Sequence, residues 1–134
     1  MITTGAISIS QALMVNQTLL ELGIPENNIG DDGITAIAGS LNYSSVTELS
    51  VYGCSFSFAG TKSLAEVLST NQKIRNLYLW GNPITVDGAR LITKCAVDNG
   101  VCEYVGVSKK YENDEEVKKM MAILKDRSRQ NVRI

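Results

Sequence analysis

The chain of 134 residues contains no histidine, which removes the commonest general base and a frequent metal ligand. Its three cysteines, Cys54, Cys95 and Cys102, cannot close a disulfide set and form no Cys-x-x-Cys pair. A zinc site would need scattered thiols and carboxylates, so no metal or other cofactor is expected. A phosphate-binding glycine-rich loop and a Gly-x-Ser-x-Gly elbow are missing too. Cys54 is the best-placed thiol, yet it has no imidazole to activate it. The expectation is a protein that is not an enzyme. Net charge is scarce as well, formally -1, which gives no field for steering nucleic acid. No apolar run approaches the roughly 18 residues of a membrane span, and no signal peptide opens the chain. The sequons Asn16-Gln17-Thr18 and Asn42-Tyr43-Ser44 are read as chance matches. Neither nucleic acid nor membrane is expected as a partner, and the expected location is the reducing cytoplasm.

What is present is a repeat. Leu19, Leu22, Ile24, Asn27 and Ile29 are followed by Val46, Leu49, Val51, Cys54 and Phe56, then by Ile74, Leu77, Leu79, Asn82 and Ile84. The pattern decays into Cys102, Val105, Val107, Lys110 and Glu112. From Leu22 to Leu49, Leu77 and Val105 the steps are 27, 28 and 28. Within each unit the apolar period changes from two to about 3.6, which marks a strand followed by a helix. Leu49 and Val51 face inward, while Glu48, Ser50 and Tyr52 face out. The helices carry Gly33, Ile37, Ala38 and Leu41, then Gly60, Leu64, Ala65 and Leu68, then Gly88, Ile92, Thr93 and Ala96. Asn27, Cys54 and Asn82 occupy the turn after each strand, where an amide can satisfy loop backbone groups and tie adjacent turns together.

A fixed period of this length identifies a leucine-rich repeat solenoid. The 28-residue unit, the Asn/Cys alternation and the Gly-x-x-x-Leu/Ile-Ala helix resemble the ribonuclease-inhibitor subfamily. That type is also found in NOD-like receptors, and Asn27-Asn28-Ile29-Gly30-Asp31-Asp32-Gly33 is similar to its turn into the helix. The resemblance covers residues 5 to about 107. It implies an α/β right-handed solenoid, a horseshoe arc with parallel strands on the concave face and α-helices on the convex face. Strands are expected near 20–24, 47–51, 75–79 and 103–107.

One domain, 1–134, is expected. Residues 1–18 form a partial N-terminal repeat; 19–45, 46–73 and 74–101 are repeats; 102–134 is a degenerate repeat with a C-terminal capping helix. Gly5, Ile9, Ser10 and Leu13 align with the later helices, so the chain begins on a helix without its strand. Terminal repeats normally carry polar caps. The expectation is therefore a fragment of a longer protein, or self-association through the uncapped N-terminal end. At the other end Asn113 and Glu116 suit a capping box, and Val117, Met120, Met121 and Leu124 make one apolar stripe. Residues 109–134 hold eight Lys/Arg against five acids, leaving +3; the five bases and nine acids of 1–108 leave -4. With acids in the first turn and bases toward the end, the last helix is read as a solvated cap.

The outward strand positions are the candidate site. Gly23, Ser50, Tyr78 and Gly106 fall in one row, with Pro25, Tyr52, Trp80 and Ser108 just beyond it. Three of the eight aromatic residues, Tyr52, Tyr78 and Trp80, converge there, and Tyr104 extends the patch. Glu21, Glu48 and Glu26 give it an acidic border. Aromatics with polar tips are enriched at binding hot spots, although the rings could merely stack and shield the sheet. The expected function is a protein–protein interaction module that binds a macromolecular partner on the concave face. One alternative is a regulator of an enzyme, similar to ribonuclease inhibitor or to a GTPase activator. Another is a carbohydrate or small-ligand binder that uses the rings as a stacking platform.

Overall fold

The computed structural model describes residues 4–131. Four parallel strands, β1 (Glu21–Gly23), β2 (Glu48–Ser50), β3 (Asn76–Tyr78) and β4 (Tyr104–Gly106), lie side by side in chain order. Helices α1 (Thr4–Val15), α2 (Gly30–Leu41), α3 (Phe58–Leu68) and α4 (Thr85–Asn99) stack in the same order behind the sheet, followed by α5 (Lys109–Glu112) and α6 (Glu115–Gln130). Every strand lies within its expected span, one residue shorter at each end. The ladder continues past those ends as single bonds: Thr47 and Glu48 both donate to the Leu20 carbonyl, and the Ile24 N–H donates to Ser50 O at 3.0 Å. The result is the α/β right-handed leucine-rich repeat solenoid that the periodicity implied.

The register puts Leu22, Leu49, Leu77 and Val105 in one line. Leu49, Leu77 and Val105 are sealed, with Val51, Leu79 and Val107 beside them. Behind them, Ile34, Ile37, Leu41, Leu64, Leu68 and Ile92 complete a continuous core. Alternation fills it from the strand side and the 3.6-residue period fills it from the helix side, so neither pattern alone would close the core.

Two polar ladders tie the repeats together. The first is the one the sequence indicates. Asn82 is buried, its Nδ2 donates to the carbonyls of Val51, Leu79 and Trp80, and its Oδ1 accepts from the N–H groups of Cys54 and Phe56. Cys54, one repeat earlier, donates its thiol to Ile24 O at 3.1 Å. The second ladder is at the far end of each helix, where Asn16, Ser44, Asn71 and Asn99 recur at steps of 28, 27 and 28. Asn71 Oδ1 accepts from Lys73 and Ile74, and Asn99 Oδ1 accepts from Val101 and Cys102. Asn99 Nδ2 reaches back to the Leu68 and Asn71 carbonyls. Each amide thereby serves loop groups that neither helix nor sheet can satisfy.

The C-terminal cap differs from expectation in one residue. Asp114, not Asn113, caps α6, with its carboxylate accepting from the N–H groups of Glu116 and Val117. The physical reason is α5: Asn113 closes that short helix with αR backbone, while Asp114 has the extended conformation an N-cap requires. The Arg90 guanidinium also grips Asp114, at 2.6 and 3.1 Å. That hydrogen bond leads the causes that hold the Asp114 carboxyl down at about 2. Farther along α6, Arg127 donates to the carbonyls of Ala96, Val97 and Cys102 and so closes the end of α4. Val117 and Leu124 are buried, and Met120 and Met121 are half-buried, so the expected apolar stripe faces α4 and β4.

Candidate functional site

The face of the sheet opposite the helices carries a grid of side chains fixed by strand register. Glu21, Glu48, Asn76 and Tyr104 form one row, and Gly23, Ser50, Tyr78 and Gly106 form the next. Tyr52 and Trp80 lie beyond them on adjoining segments, joined where the Gly53 N–H meets the Trp80 carbonyl at 2.9 Å.

Three rings form a cluster. Tyr78 lies 5.2 Å from Trp80 and 5.5 Å from Tyr104, and Trp80 lies 6.3 Å from Tyr104, all tilted. These separations suit edge-to-face aromatic packing. Gly106 makes the arrangement feasible: a Cβ there would stand 2.6 Å from the indole, so the absence of a side chain on β4 is the seat of Trp80. The indole remains 38% exposed.

Tyr52 adjoins Trp80 in sequence register, but its ring is not part of this cluster among the described residues. Its hydroxyl donates to Glu26 Oε1 at 2.5 Å, and that hydrogen bond raises the phenol above its ordinary value. Glu26 itself has φ 57, while Gly53 and Gly81, at the same place in later repeats, have φ 66 and 74. A non-glycine residue in the left-handed region is strained.

Glu48 is half-buried and accepts from Asn76 Nδ2 at 3.3 Å and from the Tyr78 hydroxyl at 3.2 Å. Burial, followed by Glu48, pushes the Tyr78 phenol up. Burial does the same for Tyr104, with a smaller contribution from Glu112. Glu21 is exposed on the outer strand. Asn76 and Gly106 are the members of this network to which sequence reasoning gave no role. The available signal was their offset of 28 from Glu48 and Tyr78 respectively.

Cysteine chemistry does not add to the site. Burial raises the Cys54, Cys95 and Cys102 thiols, Cys102 to about 11. Among the described residues no group of three or more His, Cys, Asp or Glu could hold a metal ion, and no helix is long and apolar enough to cross a membrane. What the face offers is a half-exposed aromatic cluster with fixed donors and carboxylates beside it.

Comparison with known proteins places this scaffold. Residues 15–38 match the family model Leucine Rich repeat. The chain is 37% identical to NACHT, LRR and PYD domains-containing protein 4E of Mus musculus over 86 residues, 63% of this chain and 9% of that protein. It is 32% identical to Ribonuclease inhibitor of Sus scrofa over 92 residues, 67% of this chain and 20% of that protein. The chain therefore spans only a small part of the curated relatives it matches. Among solved structures, Leiomodin-1 Actin-Binding Site 2 superposes with a TM-score of 0.76 at 17% identity, covering 96% of this chain and 78% of that one. The tropomodulin C-terminal domain of Caenorhabditis elegans gives 0.65 at 15%, covering 95% and 97%. Repeat length, the Asn/Cys ladder and these similarities agree: the chain is a leucine-rich repeat solenoid, with repeats similar to those of ribonuclease inhibitor and of the NACHT, LRR and PYD proteins.

Proposed function

We propose that the chain is a protein-interaction module whose concave face binds a polypeptide partner through Tyr78, Trp80 and Tyr104. Tyr52, Glu21 and Glu48 lie on the same surface. The observation that carries this reading is the seating of Trp80 on Gly106. The core slots are already filled by Leu77, Leu79 and Val105, so a half-exposed indole held against a neighbouring strand serves no packing need of the fold. Large aromatics anchored at the centre of a surface are the usual hot spots of interfaces. The mutual tilt of the rings, 39 to 54°, presents edges as much as faces. That favours a polypeptide over a flat sugar-stacking platform. Leiomodin-1 Actin-Binding Site 2 shares the scaffold at 17% identity, a likeness of fold alone.

The test is affinity capture from native extract with wild-type protein, Trp80→Ala, Gly106→Ala and the convex-face control Lys62→Ala. Partners captured by wild type should be lost with Trp80→Ala, by about 2 kcal/mol or more of binding energy, and retained with Lys62→Ala. Gly106→Ala should displace the indole and weaken binding without touching the ring itself. Equal capture by all four proteins overturns the reading.

A second reading concerns the other end of the sheet. Leu19 and Leu20 are 37% and 55% exposed, whereas Val46 and Ile74, which match Leu19, are sealed. β1 is an edge strand, and residues 1–20 contain no charged side chain. The apolar residues that lead into β1 can cover one another in a second copy, with the exposed Glu21 the one charge of the strand that the pairing must hold apart. We infer that two chains associate there.

A further inference from the structure

A groove of about 660 Å³ lies between β4 and α6, beside the aromatic cluster, and shares Tyr104 with the grid of strand positions. That volume falls within the ~300–1,000 Å³ of ordinary ligand sites. Tyr104 lines it on the sheet side, and Met121 and Ala122 line it on α6. The buried Val105 and Leu124 underlie it, so the groove exposes the margin of the core, and its lining is predominantly apolar.

Two features select an occupant. The first is charge. Lys118, Lys125 and Arg129 line the same groove from α6, at spacings of seven and four that keep them on one helix face. Their own helix neutralises them poorly. Glu115 stands 3.9 Å from Lys118 and Asp126 stands 3.8 Å from Arg129, both pairs well exposed. On the sheet side Glu103 is engaged by Arg75 at 2.9 Å, while Glu112 marks the α5 end. The second feature is continuity, because Tyr104 belongs both to the ring cluster and to the groove wall. A chain crossing the rings toward β4 is delivered directly into it.

We propose that the groove between β4 and α6 docks an acidic segment of the polypeptide partner. One large apolar side chain enters between Tyr104 and Met121, and flanking carboxylates meet Lys118, Lys125 and Arg129. This inference rests on the concave-face reading, since it gives the chemistry of the segment that continues beyond Tyr104. It also explains why α6 keeps three cations beside an apolar floor, where a cap that served stability alone would fill the space with side chains.

The experiment uses the whole chain and fluorescein-labelled octapeptides with a central Leu, flanked by Asp/Glu, by Ser/Gln or by Lys. Anisotropy should show the acidic peptide binding about tenfold more tightly than the lysine peptide, as two or three exposed ion pairs allow. The preference should shrink as salt shortens the Debye length below ~10 Å. Ala122→Trp, at an exposed helix position, should fill the groove and abolish binding. Lys125→Glu combined with Arg129→Glu should reverse the charge preference, and it keeps the test open if the bulky variant misfolds. Lys62→Ala, at an exposed position on the convex helix α3, should leave octapeptide affinity within about twofold; about 0.4 kcal/mol or less separates such values. Binding independent of flanking charge would mark a generic apolar site and overturn the proposal. So would undetectable binding, or unchanged binding by Ala122→Trp. If Trp80→Ala loses partner capture while these groove variants retain it, the concave-face reading stands and the groove proposal falls.

Discussion

Asn82 and Asn27 occupy the same slot in different repeats, and their surroundings separate their contributions. Asn82 is buried and serves five backbone groups, three of them in the preceding repeat. Asn27 is exposed and, among the described residues, its amide donates within its own turn, to Ile24 and Pro25. Leaving a buried backbone group unpaired costs about 1–3 kcal/mol. Asn82→Ala should therefore lose about 3 kcal/mol or more, and Asn27→Ala less than about 1 kcal/mol, measured as the change in urea midpoint at constant slope. Glu26 supplies a second comparison of this kind. Glu26→Gly and Glu26→Ala both lose the Tyr52 hydrogen bond, but only alanine keeps a Cβ at positive φ. The glycine variant should be the more stable of the two by about 1 kcal/mol. Equal midpoints would show that the left-handed backbone relaxes once the carboxylate is gone.

The junction of α4 and α6 is where a charge controls how two helices dock. Asp114 caps α6 and binds Arg90 on α4, and its carboxyl sits at about 2 against an ordinary 3.8. Asp31 on α2 plays a related role for α3. Burial opposes its ionisation, but the Ser57 N–H and hydroxyl and the Gly60 N–H hold its carboxyl below the usual value. A group with a depressed folded-state pKa contributes stability above its unfolded pKa, and that stability is lost as pH falls through the folded value. Melting temperature should therefore fall between about pH 4 and pH 2, the range bracketed by the two Asp114 values. Asp114→Asn should flatten that limb and lower the plateau at neutral pH. A variant with the wild-type acid limb would show that the Arg90 bridge contributes nothing to folding.

For the assembled solenoid, the two ends of the sheet behave differently. β4 is covered by α6, while β1 has Leu19 and Leu20 exposed beside it. If the β1 edge takes a second copy, light scattering should give a concentration-dependent dimer. Leu20→Glu should restore the monomer with little change in stability, because Leu20 is already more than half exposed. A wild-type chain that remains monomeric at high concentration would sink this reading. The ring cluster lies two and three strands away, at β3 and β4, so Trp80→Ala should not change the oligomeric state.

The architecture was legible because a repeat states its geometry several times over. Strand positions, the inward pairs Leu49/Val51 and Leu77/Leu79, and the Asn82 turn all follow from alternation and a step of 28 residues. So did the rows to which Glu21, Glu48, Tyr78 and Tyr104 belong, since register fixes which outward residues are neighbours. The direction in which each side chain leans was not legible, because it depends on what the adjoining repeat leaves empty. Trp80 leans onto β4 because Gly106 has no side chain, and the Tyr52 hydroxyl is held by Glu26 on the other side. The same holds for the cap and the groove. Asp114 displaces Asn113 as the N-cap because α5 absorbs one more residue, and Arg90 lies within reach across α4. Periodicity carries information along one dimension, and it suffices wherever every repeat does the same thing. The aromatic cluster and the β4–α6 groove arise where neighbouring repeats differ, and there only packing in three dimensions decides which atoms meet.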